Sequence, residues 1–250
     1  MLHLHEPMTP AICILTLALA RTTPIVATYH ASGELGWMRM AVPVWRPVLD
    51  RIDYRIAVSQ MAADSAARWV PGDYHVIPNG VLVPPAAEAG AREHRILFAG
   101  RHETRKGLRV LIEAWPELRR RTGARLRIAG ADPLAVRLLL QRTRVSDDGI
   151  DILGFLSQED LTAELLSVKA LVAPSLGGES FGMVLTRAFA CATPVVCSDI
   201  TGYRDVMTPE TGLLCPPGDS RALGDAIESL LADEPRRAAF GAAAREVAIA

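Results

Sequence analysis

Short apolar runs alternate with longer amphipathic ones along this chain, and that rhythm restricts the fold more than any other feature. Ten runs have the length and composition of strands: residues 2–5, 25–29, 54–58, 75–77, 96–99, 126–129, 150–153, 170–173, 194–197 and 213–215. The stretches between them show helical spacing, most clearly LRVLIEAWPELRRR (108–121) and SRALGDAIESLLADE (220–234). Strand and helix in alternation predict βαβ units and a largely parallel sheet, the α/β class. Such sheets bind ligands beyond the carboxyl ends of their strands, so function is sought in the loops that follow strands.

Residues 82–94, LVPPAAEAGAREH, break the rhythm. Two prolines, several alanines and a glycine predict an exposed linker. It separates a first module, 1–81, from a second, 95–250. With 250 residues, half of them apolar, the chain can bury one large or two modest cores. The first module opens directly on strand-like LHLH and holds four strand candidates, where a doubly wound domain usually has about five or six. The final stretch, PRRAAFGAAAREVAIA, stops in mid-helix pattern. A larger enzyme shortened at both ends is the sharper expectation; a small three-layer domain is the plainer one.

Charge and cysteine usage exclude some classes. A balance of 27 basic to 28 acidic residues argues against a general nucleic-acid binder. Four cysteines without a C-x-x-C pair indicate neither a zinc site nor a disulfide framework, and a reducing, cytoplasmic setting is expected. The apolar run 11–20 imitates a signal peptide, but no Lys or Arg precedes it. It is also shorter than the roughly 20 residues a bilayer requires, so a buried helix is expected.

One stretch poses the functional question. PSLGGESFGMVLTRAFA (174–190) contains Gly178-Glu179-Ser180-Phe181-Gly182, the G-x-S-x-G of a hydrolase nucleophile elbow. On that fold the order is Ser, acid, His, whereas all six histidines here precede Ser180. The segment reads better as an anion-binding turn. Gly177 and Gly178 let the backbone bend sharply and bring N–H groups to a ligand. A helix starting near Ser180 would add free N–H groups and a positive dipole end. Glu179 is then either a first-turn carboxylate worth about 0.3–1 kcal/mol or an acceptor for ligand hydroxyls. A cap does not require two preceding glycines, which favours the second.

A cationic element lies upstream. FAGRHETRKGLRVLIEAW (98–115) runs from strand to loop to helix and puts Arg101, Arg105 and Lys106 just past a strand end. Clustered cations repel unless an anion or water lies between them. A pyrophosphate suits, Arg offering a forked grip and Lys a point charge. A solvated basic loop is the alternative. Only Lys106 and Lys169 among the basic residues are Lys. Neither a Walker A loop nor a G-x-G-x-x-G fingerprint occurs. A third element, IVATYHASGEL (25–35), places His30 after a strand, where it could bond a sugar hydroxyl or a loop carbonyl. His3 and His5 alternate on one strand; no third metal ligand is evident, so structural roles are expected.

Together these stretches resemble the retaining GT-B glycosyltransferases of family four, most closely the phosphatidylinositol mannosyltransferase branch. The resembling residues are LHLHEP (2–7), PIVATYHAS (24–32), RIAVSQ (55–60), VIPNGV (76–81), FAGRHETRKGLRVLIEA (98–114), GGESFGMVLTRAFACATPVVCSD (177–199) and GLLCPPGD (212–219). The resemblance implies two Rossmann-like parallel-sheet domains, the first incomplete, with a nucleotide-sugar donor in the cleft between them. It implies that Arg101 and Lys106 hold the diphosphate and that Glu179 binds the transferred sugar's hydroxyls. Backbone groups around Gly177, Gly178, Phe181, Gly182, Met183 and Val184 would assist, and His30 would face the sugar. The base would rest near Gly154, Phe155 and Leu156. The implied reaction transfers a hexose, mannose from GDP-mannose, to a lipid or glycan acceptor with retention. No metal or other cofactor is expected, since no D-x-D occurs and fixed cations would replace it. Peripheral membrane contact is implied; a nucleic-acid partner is not. A non-catalytic donor-binding module and a sugar-nucleotide epimerase are the rivals.

Two departures stand out. The family pairs its Glu with a second Glu eight positions on, for the ribose; here that position is Arg187, which cannot accept a hydrogen bond. Reversing such a group is expected to cost roughly 2–3 kcal/mol of binding. The family's opening strand and glycine-rich loop also find no counterpart in these 250 residues.

Overall fold

The computed structural model describes residues 1–30, 38–85 and 92–250. They form two compact units: Met1–Gly80 together with Gly178–Phe181, and Val81–Gly177 together with Gly182–Ala250. Residues 86–91, within the stretch read as a linker, and residues 31–37, which follow His30, lie outside the described residues.

The first unit carries a parallel sheet, β1 (Leu2–His5), β2 (Ile25–Tyr29), β3 (Tyr54–Ala57) and β4 (His75–Val76), in that order. Helices α1 (Ile12–Leu19), α2 (Met38–Leu49) and α3 (Gln60–Ala67) connect the strands. The core gathers Leu17, Ile25, Ala27, Tyr29, Leu49 and Val70. Helix α1 corrects the expectation of a buried helix. Cys13 and Leu17 face inward, while Ile12, Leu15 and Leu19 are 71%, 60% and 80% exposed. Eight residues against one face of a sheet can bury only one stripe, so an all-round apolar run leaves the remainder outside.

The second unit holds six parallel strands: β5 (Glu93–Ala99), β6 (Arg125–Ala129), β7 (Ile150–Gly154), β8 (Val168–Ala173), β9 (Val195–Ser198) and β10 (Gly212–Cys215). Their order is β10-β9-β8-β5-β6-β7. Helices α4 (Leu108–Thr122), α5 (Pro133–Thr143), α6 (Gln158–Ser167), α7 (Met183–Ala190), α8 (Thr201–Arg204), α9 (Ser220–Ala232) and α10 (Glu234–Ile249) complete it. One core faces α4, α5 and α9 through Leu111, Trp115, Leu126, Val136 and Ile227. The other faces α6, α7 and α10 through Leu97, Leu171, Leu185, Phe189 and Ala244. Buried on both faces from Ala170 to Ala173, β8 is continuously apolar after Lys169, as a central parallel strand should be.

Strand β5 opens at Glu93, inside the stretch read as a linker. The reason is Arg92. Its guanidinium donates to the carbonyls of Leu165 and Val168 and to the Thr193 hydroxyl, each at 2.9 Å, and to the Cys191 and Ala192 carbonyls at 2.8 and 2.9 Å. A side chain so fully engaged fixes the chain at residue 92 and starts the strand at once. The helix read through residue 234 divides at Asp233, whose carboxylate accepts from Arg236 N–H at 2.9 Å and caps α10.

The four cysteines are free and buried. Among the described residues, no helix is long and apolar enough to cross a membrane.

Candidate functional site at the switch point

The second sheet reverses its strand order between β5 and β8. Chains leaving adjacent parallel strands to opposite sides open a crevice at their carboxyl ends, where ligands of doubly wound sheets bind. In this unit the loops flanking that crevice are 100–107 and 174–177, each part of a stretch singled out by sequence.

Within the second unit these loops are joined directly. The Leu176 N–H donates to the Arg105 carbonyl at 2.7 Å. Gly107, at φ 68°, lies so close to the other loop that a Cβ would stand 1.8 Å from the Pro174 carbonyl oxygen. Only glycine permits that approach. Arg105 and Gly107 thus tie the cationic loop that carries Arg101 and Lys106 to residues 174–176 at the carboxyl ends of β5 and β8.

Helix capping points to the same place. In this unit α5, α6, α9 and α10 carry Asp132, Ser157, Asp219 and Asp233 as side-chain caps. Apart from the single-turn α8, which Ile200 leaves without a side-chain cap, helices α4 and α7 alone among those of this unit have no side-chain oxygen bonded at their N-caps, Gly107 and Gly182. Both open at the switch point. First-turn N–H groups lacking a side-chain partner leave a positive helix end for an anion.

Two site expectations need correction. Helix α7 begins at Met183, not near Ser180, because Gly178 and Gly182 hold left-handed φ of 69° and 76° and the turn between them is not helical. Glu179 therefore lies ahead of the helix and is not its first-turn carboxylate. The Arg101–Arg105 repulsion does not demand an outside anion either. Glu103 sits between them, 3.0 Å from Arg101 Nη1 and 2.7 Å from Arg105 Nε. The Arg101 side chain is 70% exposed, and such a surface pair is worth about 0–1 kcal/mol, little enough for a diphosphate to displace. The Lys106 stem folds back over the end of β5, its Cδ 3.8 Å from where a Gly100 Cβ would stand.

The remaining expected positions divide between the units. Gly154 closes β7, Leu156 is half-buried, and Phe155 is 74% exposed at the same sheet edge. Met183 and Val184 form the first turn of α7, and Arg187 stands half-buried on it. Gly178, Glu179 and Phe181 belong to the segment grouped with the first unit, as does Ser180. Glu179 and Phe181 are buried there, and the Ser59 hydroxyl donates to the Ser180 carbonyl at 2.5 Å. His30 follows β2 in the first unit; burial lowers its pKa, with the Glu6 carboxylate opposing. The histidine side chains bond Thr28, one another and the Thr122 carbonyl. Among the described residues no histidine hydrogen-bonds the Ser180 side chain, so the hydrolase reading has no base beside its serine.

Sequence reading missed Glu103, Gly107, Ser175 and Tyr203. The buried Ser175 and Tyr203 hydroxyls lie 2.7 Å apart, and the Tyr203 ring packs under Gly182, 3.0 Å from where its Cβ would be. Tyr203 thus props both ends of the 174–182 turn. Gly107 could have been found, as a glycine between a cationic loop and a helix; the tyrosine, 28 residues away, gives no local signal. Among the described residues, no group of three His, Cys, Asp or Glu is placed to hold a metal ion.

Comparison with known proteins agrees with this architecture. Residues 93–233 match the family described as Glycosyl transferases group 1, and residues 1–82 match Glycosyltransferase Family 4. Phosphatidyl-myo-inositol mannosyltransferase of Propionibacterium freudenreichii is 38% identical over 85% of this chain and 55% of its own length. The protein of that name from Mycobacterium leprae is 36% identical over 98% of this chain and 67% of its own. The chain thus spans 55 to 67% of the length of these curated relatives. Sucrose-phosphate synthase from Thermosynechococcus elongatus superposes with a TM-score of 0.77 at 27% identity, over 94% of this chain and 65% of that one. Anabaena HepE in complex with UDP-glucose gives 0.78 at 20% identity, over 94% and 70%, which speaks for the fold alone. The two parallel-sheet α/β units are GT-B-like, and the chain belongs to the group 1 glycosyl transferases.

Proposed function

We propose that the chain is the donor-binding part of a retaining hexosyltransferase, taking mannose from GDP-mannose to a lipid or glycan acceptor. The observation that carries this reading is the union of the 100–107 and 174–177 loops at the switch point through the Leu176–Arg105 hydrogen bond. A diphosphate there would meet Arg101, Lys106 and the glycine-capped ends of α4 and α7. Cations fixed in this way stabilise a departing nucleoside diphosphate as its charge grows, and no metal is assigned to the step. Phe155, exposed at the end of β7, offers its face to the base. Glu179 would accept from the sugar's hydroxyls, with His30 as a second polar contact. The relatives' name, phosphatidyl-myo-inositol mannosyltransferase, supports a mannosyl donor and a lipid acceptor. We assign the work to the cytoplasmic side, with peripheral membrane contact.

Arg187 favours a second reading, a donor-binding remnant without transfer, because a guanidinium stands where the family places its ribose acceptor. Calorimetric titration of GDP-mannose and UDP-glucose into the chain and into Lys106→Ala tests the first. Binding that weakens at least tenfold in the variant is expected. Equal affinity in both proteins would refute the assignment of Lys106, and no binding to either would refute the function.

A further inference from the structure

Strands β1 and β2 bring three histidines together in the first unit. His3 Nε2 lies 2.8 Å from the Thr28 hydroxyl, and its ring stacks on His5 with centroids 4.6 Å apart. His5 Nδ1 lies 2.7 Å from His30 Nε2, the rings inclined by 25°. The His30 backbone N–H donates to the Glu6 carboxylate. Glu6 holds φ 54°, a left-handed value unusual for a non-glycine residue, while its own N–H extends the ladder to the Thr28 carbonyl at 2.8 Å. The main chain of His30 is thus tied to Glu6 and its ring to His5.

Two imidazole nitrogens at hydrogen-bond distance require one N–H and one lone pair between them. A neutral pair carries two ring protons on four nitrogens, so the outer nitrogens, His5 Nε2 and His30 Nδ1, share the second. His30 Nδ1 donates when His5 Nε2 is bare and accepts when it is protonated. One further proton fills both outer positions while the inner bond survives, and His30 Nδ1 is then a donor wherever the charge resides. His5 is exposed and His30 half-buried, so that proton arrives through His5.

We propose that His5 is a positioning residue that sets the tautomer of His30, so that protonation from solvent at His5 fixes His30 Nδ1 as a hydrogen-bond donor. Its bearing on transfer rests on the reading of His30 as a sugar-facing group; the proton sharing itself does not. The titratable groups around the pair, among the described residues, are few. Burial lowers the His30 pKa, the Glu6 carboxylate opposes this, and the two neighbouring histidines add to it. Cys13 on α1 donates to the His5 carbonyl at 3.7 Å, and its thiol pKa is raised by burial and by Glu6.

The test is a nitrogen-15 NMR titration of the histidine rings in the full chain. Two coupled steps, separated by more than about one unit and seen at both rings, are expected. His5→Phe should reduce them to a single step at His30. His5→Asn, whose amide can present either an N–H or an oxygen to His30 Nε2, should keep the inner hydrogen bond while losing the His5 step, and serves should the phenylalanine variant not fold. An identical one-step titration of His30 in wild type and variants would overturn the proposal. In the transfer reaction, the acid limb of the pH profile should move to the single His30 step in His5→Phe, with KM for the donor unchanged. Coupled rings with an unaltered profile would overturn the positioning role. Calorimetry with GDP-mannose separates that failure from failure of the donor-binding reading, since donor binding survives the first and not the second.

Discussion

Gly107→Ala probes the junction on which the site depends. The new Cβ would stand 1.8 Å from the Pro174 carbonyl oxygen, where real contacts begin near 3.0 Å, and its neighbours there are backbone that no rotamer change can clear. The left-handed φ of 68° adds roughly 1–2 kcal/mol for any residue with a Cβ. Relief requires the two loops to part by roughly 1 Å, a misplacement worth about a hundredfold in a positioned site. The Leu176–Arg105 hydrogen bond then breaks, at about 1 kcal/mol. Together these effects predict a loss of roughly 2–3 kcal/mol in stability, with donor affinity reduced further still. Urea unfolding measures the first and calorimetry with GDP-mannose the second. Gly224→Ala is the control. It lies in α9 with its nearest neighbour at 3.8 Å, so its helix should be unchanged or firmer by about 0.5–1 kcal/mol. Should Gly107→Ala unfold at the wild-type midpoint and bind donor as tightly, the junction does not position the site.

Other outcomes are expected. Arg187→Glu should tighten GDP-mannose binding by roughly 2–3 kcal/mol; unchanged calorimetric affinity would mean that Arg187 does not impair the ribose contact. Tyr203→Phe should cost about 1 kcal/mol of stability through the lost Ser175 contact and raise the donor KM more than it lowers kcat, as measured by unfolding and steady-state kinetics. Asp151 has its pKa lowered, first by its hydrogen bonds from Arg125 and then by charge, Arg127 included. Its contribution is therefore complete above the ordinary Asp value near 3.9 and fades as pH falls through the lower folded value. Asp151→Asn should flatten that acid limb by less than about 1 kcal/mol, the pair being partly exposed to solvent.

Strand positions were legible because each apolar run had to fill one pleated row, and β1, β2 and the core of β5 appear where the pattern put them. The start of α7 was not, since the left-handed Gly182 delays a helix whose side-chain pattern already looks helical. Arg92 was lost among linker-like alanines because its five partners come from residues 165–193. The cations of the site could be read in a single loop, whereas the carboxylate between them could not. Which of Arg101, Arg105 and Glu103 pair is a question of backbone curvature, and the 3₁₀ turn Thr104–Lys106 answers it.

That internal carboxylate has a consequence for selectivity. Glu103 pairs with both guanidiniums, so a chloride or a lone phosphate that merely replaces it would exchange like for like. A ligand with two linked phosphates can displace Glu103 and still reach the ammonium group and the amide-rich helix ends beyond. On the proposed reading the loop would therefore answer weakly to one phosphate and strongly to two.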